Sequence, residues 1–275
     1  CPAILIWLLT VPEARRWLRS PWPYLGGIVS LAMFSPVLIW NANHHWVSFA
    51  KQFGRARIHE WTLRYLIELL PTQVAFVTPL VFILAAMGLF ALWTRDDGSR
   101  AGRGLINATV WTLTVYFIWH SLHGRVEANW FGPIYPALAV AAAVAADVTR
   151  WQPRAQRTAD VCRRWAVPVG VAMFVGLVVQ VNTGLLSGYR RDASVRSVGV
   201  GWPQLAAKIE AMRVKTGAGC VLAPEYGTAS WLLFYLPKGT CVAQRFERIR
   251  WVNGQQPDPD RLTGKLLYVD NGAEQ

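Results

Sequence analysis

The sequence predicts a polytopic α-helical membrane protein, with about five complete spans plus a clipped one, ending in a small extracytoplasmic α/β domain. Three observations predict it. The 275 residues are 53% hydrophobic and only 16% charged, whereas a soluble domain carries roughly a quarter charged residues. The apolar residues collect in blocks of about 20, the length a helix needs to cross the hydrocarbon core. Of the 15 tryptophans, Trp22, Trp40, Trp93, Trp119, Trp130 and Trp165 stand at the block edges, as in the aromatic belts of bilayer helices.

Each element follows in order. Cys1 to Thr10 reads as the end of a span. It opens inside an apolar run, with no methionine and no basic leader, which is unlike a signal peptide and suggests that earlier helices precede it. Span two is expected from Trp22 to Trp40, span three from Gln73 to Trp93, span four from Leu105 to Trp119, span five from Trp130 to Ala146 and span six from Trp165 to Thr183. Between spans two and three, Glu60 to Leu70 puts Leu63, Leu66, Ile67 and Leu70 on one face, with Arg64 and Glu68 paired four apart. It reads as a helix on the membrane surface, stopped by Pro71. The alternative is a simple extension of span three.

Charge sets the orientation. Arg15, Arg16, Arg19, Arg95, Arg100, Arg103, Arg150, Arg154, Arg157, Arg163 and Arg164 occupy loops on one side, which the positive-inside rule makes cytoplasmic. Lys51, Arg55, Arg57, Arg64 and Arg125 are spread over longer connections on the other side. The membrane region is therefore expected over 1–188, with an outer loop at 41–72 carrying the interfacial helix. The tail, 189–275, is expected on the extracytoplasmic side. Net charge is +12, explained first by these loops and second by an anionic ligand such as a phosphate or lipid headgroup. Nucleic acid is excluded as a partner, because the basic residues form no continuous face.

In the tail, a helix is expected over Trp202 to Thr216, a strand over Cys220 to Ala223, a helix over Thr228 to Leu236, and strands over Cys241 to Gln244 and Leu266 to Val269. Such short alternation argues for a small parallel sheet. Cys220 and Cys241 open neighbouring strands. Directly adjacent parallel strands suit a disulfide badly, so two buried free thiols are expected, with a bond as the alternative. Cys162, in a cytoplasmic loop, should be reduced.

No phosphate loop, dinucleotide fingerprint or zinc-spaced cysteine pair is present. Chemistry-bearing residues cluster instead at the outer span ends, in two runs. The first holds Trp40, Asn41, His44, His45, Trp46, Gln52 and Arg55; the second holds His120, His123, Arg125, Glu127, Asn129 and Trp130. Arginine suits phosphate because its planar fork donates two hydrogen bonds at once. Tryptophan offers sugars and prenyl chains an apolar face. Plain alternatives exist for each: Arg125 and Glu127 as a solvated pair, and the tryptophans as interface anchors. The four histidines of these runs have thin carboxylate or cysteine support for a metal, so no cofactor is required and a divalent metal stays open.

Three stretches carry a resemblance. "SPVLIWNANHHWVSFAKQFGR" (35–55), "GRVEANWFGPIYPAL" (124–138) and "APEYGTASWLLFYLP" (223–237) resemble, in order and spacing, the bacterial family 39 glycosyltransferases. These are C-type membrane enzymes related to protein O-mannosyltransferases and to the lipid A aminoarabinose transferase; the chain resembles their C-terminal portion. The resemblance implies transfer of a sugar from a polyprenyl-phosphate donor to a glycan, lipid or protein acceptor, at the outer face of the bacterial inner membrane. It places the general base in a loop preceding this chain, so no catalytic residue is assigned here, and the chain alone is expected to be inactive. Arg125, with Arg55, would bind the donor phosphate. Glu127, Asn129, Trp130, His44, Gln52 and His123 would orient these groups or touch sugar and lipid. Glu225 and Tyr226 would face the acceptor. Without the resemblance, a transporter or an assembly subunit remains the alternative; span interiors almost free of charge argue against transport.

Overall fold

The computed structural model describes residues 2–55, 61–94, 99–148, 150–185, 199, 201–246 and 257–269, apart from the side chains of Arg55 and Val148. It forms two compact units, Cys1–Phe174 and Val175–Gln275.

In the first unit, α1 (Pro2–Thr10) and α2 (Pro12–Arg15) lead through a 3₁₀ turn, Arg16–Arg19, into α3 (Trp22–Asn43). The Trp7 indole N–H donates to the Ala101 carbonyl at 2.8 Å, tying α1 to α7 (Arg100–Ser121). α3 buries almost nothing: Ile28 is 64% exposed and Met33 78%, as lipid-facing residues would be. A tight turn at His45 and Trp46, both at positive φ, joins it to α4 (Val47–Arg55). The buried Asn41 side chain fixes that turn, accepting from the Ser48 N–H at 3.2 Å and donating to the Val37 carbonyl at 2.9 Å.

Span three departs from expectation. The helix α5 does not stop at Pro71 but runs Arg64–Val77, then bends by 104° into α6 (Pro79–Thr94). A mid-helix proline costs about 3 kcal/mol. Here Leu69 and Gln73, two residues either side of it, are buried, and the Thr72 hydroxyl donates to the Glu68 carbonyl. The bend falls at Thr78, which takes φ +70°, a region a β-branched residue rarely enters. The following proline disfavours helical backbone at Thr78 while fitting the first position of α6. Glu60 lies outside the described residues.

A 3₁₀ helix (Ala128–Ile134), α8 (Tyr135–Ala143) and a π-helical turn (Val144–Val148) form the next apolar run. Small residues bring it close to α6: a Cβ on Gly88 would collide with the Ala141 carbonyl. Leu84, Ala85, Ala142, Ala145, Ala159 and Cys162 make the core there. The last helix, α9 (Pro153–Thr183), absorbs most of the expected basic loop into its first turns, where Arg163 pairs with Asp147 at 2.9 Å.

By length and composition, three described helical runs suffice to cross a membrane, α3, Ala128–Asp147 and α9; the bent pair α5–α6 adds a fourth only if its two helices are counted as one broken span, the same bend being equally that of a re-entrant loop. Over its 22 residues α7 matches them in length, but its arginines, asparagine and threonines keep it below that apolar level.

The tail contains α10 (Trp202–Thr216), β1 (Cys220–Ala223), α11 (Tyr226–Tyr235), β2 (Cys241–Gln244), α12 (Pro259–Leu262) and β3 (Leu266–Tyr268). The sheet is parallel with order β2-β1-β3. Ala206, Ile209, Val221, Ala223, Ala229 and Leu232 fill its core. The free-thiol expectation is corrected: Cys220 and Cys241 are disulfide-bonded. The register sets them directly opposite, and their Cα atoms, 4.6 Å apart, fall within bonding range.

Candidate functional site

The second run folds around the C-terminal end of α7. Its last turn delivers His120 and Ser121, both buried, and the chain turns back so that the Gly124 N–H reaches the His120 carbonyl at 2.8 Å. Gly124 fits closely there: a Cβ would lie 2.9 Å from His120 Nε2, so the imidazole would have to shift. His123 is 7% exposed, with rings of Trp119 at 4.6 Å, His120 at 4.9 Å and Trp61 at 5.8 Å. Neither nitrogen of His123, nor Nδ1 of His120, has a protein hydrogen-bond partner. Trp130 packs on Phe117 at 6.0 Å and on His120 at 5.7 Å.

Arg125 follows immediately and stays largely exposed. Its carboxylate partner is Glu68 of α5, at 3.7 Å, and not Glu127. Arg64 takes the other oxygen of Glu68 at 3.1 Å. One carboxylate thus joins two arginines brought from separate elements. Backbone contact supports the join: the Thr62 N–H donates to the Leu122 carbonyl at 2.7 Å. Glu127 and Asn129 are exposed at the start of the 3₁₀ helix, where the Glu127 carbonyl accepts from the Trp130 N–H at 3.0 Å.

Beneath α5 lies a polar knot that the sequence analysis does not assign. Gln73, 6% exposed, donates to the Ala128 carbonyl at 3.1 Å and accepts from the Tyr135 hydroxyl at 2.9 Å. Its signal was a glutamine inside an apolar run, which a buried position must satisfy with partners. An apolar cavity of about 480 Å³ opens beside it, lined by Leu66, Leu69, Leu70, Phe82, Leu89 and Trp111 among others.

The first run behaves differently. His44 stacks on Trp40 at 4.2 Å and its Nδ1 lies 2.7 Å from the Trp40 carbonyl. Gln52 is exposed on α4, and the Arg55 side chain lies outside the described residues. No hydrogen bond, ion pair or ring contact among the described residues joins His44 or Gln52 to the Arg125 group. In the tail, Glu225 is exposed and N-caps α11 without a side-chain bond, and Tyr226 opens that helix. Among the described residues no three histidine, cysteine or acidic side chains group to hold a metal.

Residues 1–40 match the family model for dolichyl-phosphate-mannose-protein mannosyltransferase. That match supports a membrane glycosyltransferase relationship. It covers α1 to Trp40 in α3, and the Arg125 region lies beyond it. No curated protein matches the chain, and no solved structure does.

Proposed function

We propose that this chain is part of a glycosyltransferase that moves a sugar from a polyprenyl-phosphate donor to an acceptor at the outer face of the bacterial inner membrane. The observation that carries the reading is the pairing of Arg125 and Arg64 through Glu68, on a helix whose Leu66, Leu69 and Leu70 line an apolar cavity. A lipid phosphate needs cationic donors at its headgroup and an apolar groove for its chain. α5 contributes to both. Arg125 binds the phosphate and stabilises the charge that grows as the sugar–phosphate bond breaks. His123 and Trp130 form the aromatic wall behind it, and Glu127 and Asn129 orient the sugar. Arg55, Gln52 and His44 approach from the outer loop, and Glu225 and Tyr226 meet the acceptor. The tail and the Arg125 loop share the outer side, with the arginine-rich loops cytoplasmic.

The test follows transfer of radiolabelled sugar out of a polyprenyl-phosphate donor, using the full-length protein in membranes with and without Arg125→Ala. Donor consumption by the parent, and its loss in the variant at matched expression, supports the reading. A parent that turns over no polyprenyl-linked sugar from a broad donor panel refutes it and favours transport.

A further inference from the structure

The carboxyl edge of the tail sheet gathers an arginine and two aromatic rings. With order β2-β1-β3 and every pair parallel, the chain leaves central β1 toward β2 on one side, then crosses to β3 on the other. Connections diverge at such a reversal, and the crevice they leave at the carboxyl ends of the strands is where open α/β sheets bind ligands.

That edge is built, not frayed. The Arg245 N–H donates to the Ala223 carbonyl at 2.9 Å, the Phe246 N–H to Pro224 at 3.0 Å and the Val269 N–H to Leu222 at 3.0 Å. The Arg245 guanidinium carbon lies 4.8 Å from the Phe246 ring centroid and 5.9 Å from that of Tyr268. Arg245 follows β2 and Tyr268 ends β3, so the side chain reaches across the end of β1. The rings hold the guanidinium by cation–π attraction. Among the described residues no carboxylate pairs with it. An exposed guanidinium so held keeps its N–H edges for a phosphate or carboxylate, which it grips with two parallel bonds. Phe246 and Tyr268, 54% and 42% exposed, present ring surface beside it. Aromatic faces next to an anion-binding fork suit a sugar that bears an acidic group.

We propose that the carboxyl edge of this sheet binds an acidic saccharide, a sugar carrying a phosphate or carboxylate. Arg245 holds the anionic group, and Phe246 and Tyr268 lie against the sugar. Taking this ligand as the acceptor rests on the glycosyltransferase reading; the binding itself does not.

The test is calorimetric titration of the full chain in zwitterionic phosphatidylcholine nanodiscs with glucose 6-phosphate, glucuronate, glucose and inorganic phosphate. The acidic sugars should bind about tenfold or more tightly than glucose or phosphate alone, and Arg245→Ala should remove that advantage. Arg245→Lys, which keeps the charge but not the fork, should lose part of it. Phe246→Ala should abolish the preference for acidic sugar over inorganic phosphate. An unchanged melting midpoint in Arg245→Ala establishes that the fold is intact. Equal affinity for glucose and glucose 6-phosphate, or acidic-sugar binding untouched by Arg245→Ala, overturns the proposal. So does attachment to phosphatidylglycerol vesicles through Arg245 without binding of either acidic sugar, which would make the site a lipid contact. Glucuronate carries no phosphate, so its dependence on Arg245 reports on this edge apart from the donor-phosphate residues, and failure of donor turnover and failure of this site are separate results.

Discussion

Glu68 Oε2 lies 3.7 Å from Arg125 Nε while Glu68 Oε1 lies 3.1 Å from Arg64 Nε, so one exposed carboxylate sets the posture of two arginines. Exposed ion pairs contribute at most about 1 kcal/mol to stability. Glu68→Ala should therefore leave the melting midpoint nearly unchanged. It should instead raise the KM for a polyprenyl-phosphate donor by about fivefold, the equivalent of that energy in binding, with kcat less affected. Donor kinetics on matched membranes check this. An unaltered donor KM would remove Glu68 from the site.

Gly88 is a point of close approach between α6 and α8. Any Cβ there meets the Ala141 backbone, which has no flexible end to yield. Helices in bilayers associate through small residues that let backbones come close, and overpacking such a contact costs about 1–3 kcal/mol or more. Gly88→Leu should sharply reduce the folded fraction recovered in detergent, and Gly88→Ala should lower the melting midpoint. Size-exclusion profiles and thermal scans decide it; wild-type behaviour of both variants would mean that α6 and α8 do not meet at this depth.

Much of this architecture is readable from residue order, because apolar block length and strand alternation are local signals. Span two and the strands at Cys220 and Cys241 lie where the pattern put them. The bend at Thr78 is not local in that sense: Gln73 to Trp93 is one apolar run, and only a proline marks where it turns. Arg125 stood out by type and position, but its partner Glu68 was read only as a mate for Arg64 on its own helix. The Gln73–Tyr135 bond joins elements that no periodicity relates. The cysteine pair shows the opposite weakness: the neighbouring strands were foreseen, but a general rule about adjacent strands outweighed a register that sets the two residues face to face. Arg245 carries no signal in residue order, since it merely follows a strand, and its two aromatic neighbours become visible only once the strand order is known.

The Cys220–Cys241 bond closes a loop of sequence separation 21. In the chain-entropy account, a loop of that size contributes about 3 kcal/mol by restricting the unfolded chain. Cys220→Ser, or reduction, should therefore lower the melting midpoint of the tail while leaving the membrane helices intact. Mass spectrometry of the denatured, unreduced chain after thiol alkylation should find Cys162 modified and Cys220 and Cys241 unmodified. Alkylation of both tail cysteines without reductant would contradict the bond.

Arg213 grips Glu210 through two hydrogen bonds, 2.8 and 2.6 Å long, and its third nitrogen donates to the Ala218 carbonyl at 3.1 Å, tying the end of α10 to the entry of β1. Hydrogen bonding from Arg213, aided by its charge and opposed by burial, holds the Glu210 carboxyl below its ordinary value of 4.5. A carboxyl depressed in the folded state contributes its stability in full above that ordinary value and loses it as pH falls through the folded value. The tail should accordingly show a flat contribution from this pair above about pH 5 and a decline below 4.5, on the order of 1 kcal/mol for a partly exposed pair. Glu210→Gln should lower the midpoint at neutral pH and flatten the acid limb. Melting followed from pH 3 to 8 in both proteins checks it. Parallel curves for the two, offset by a constant at every pH, would show that the pair's stability is not linked to Glu210 ionisation.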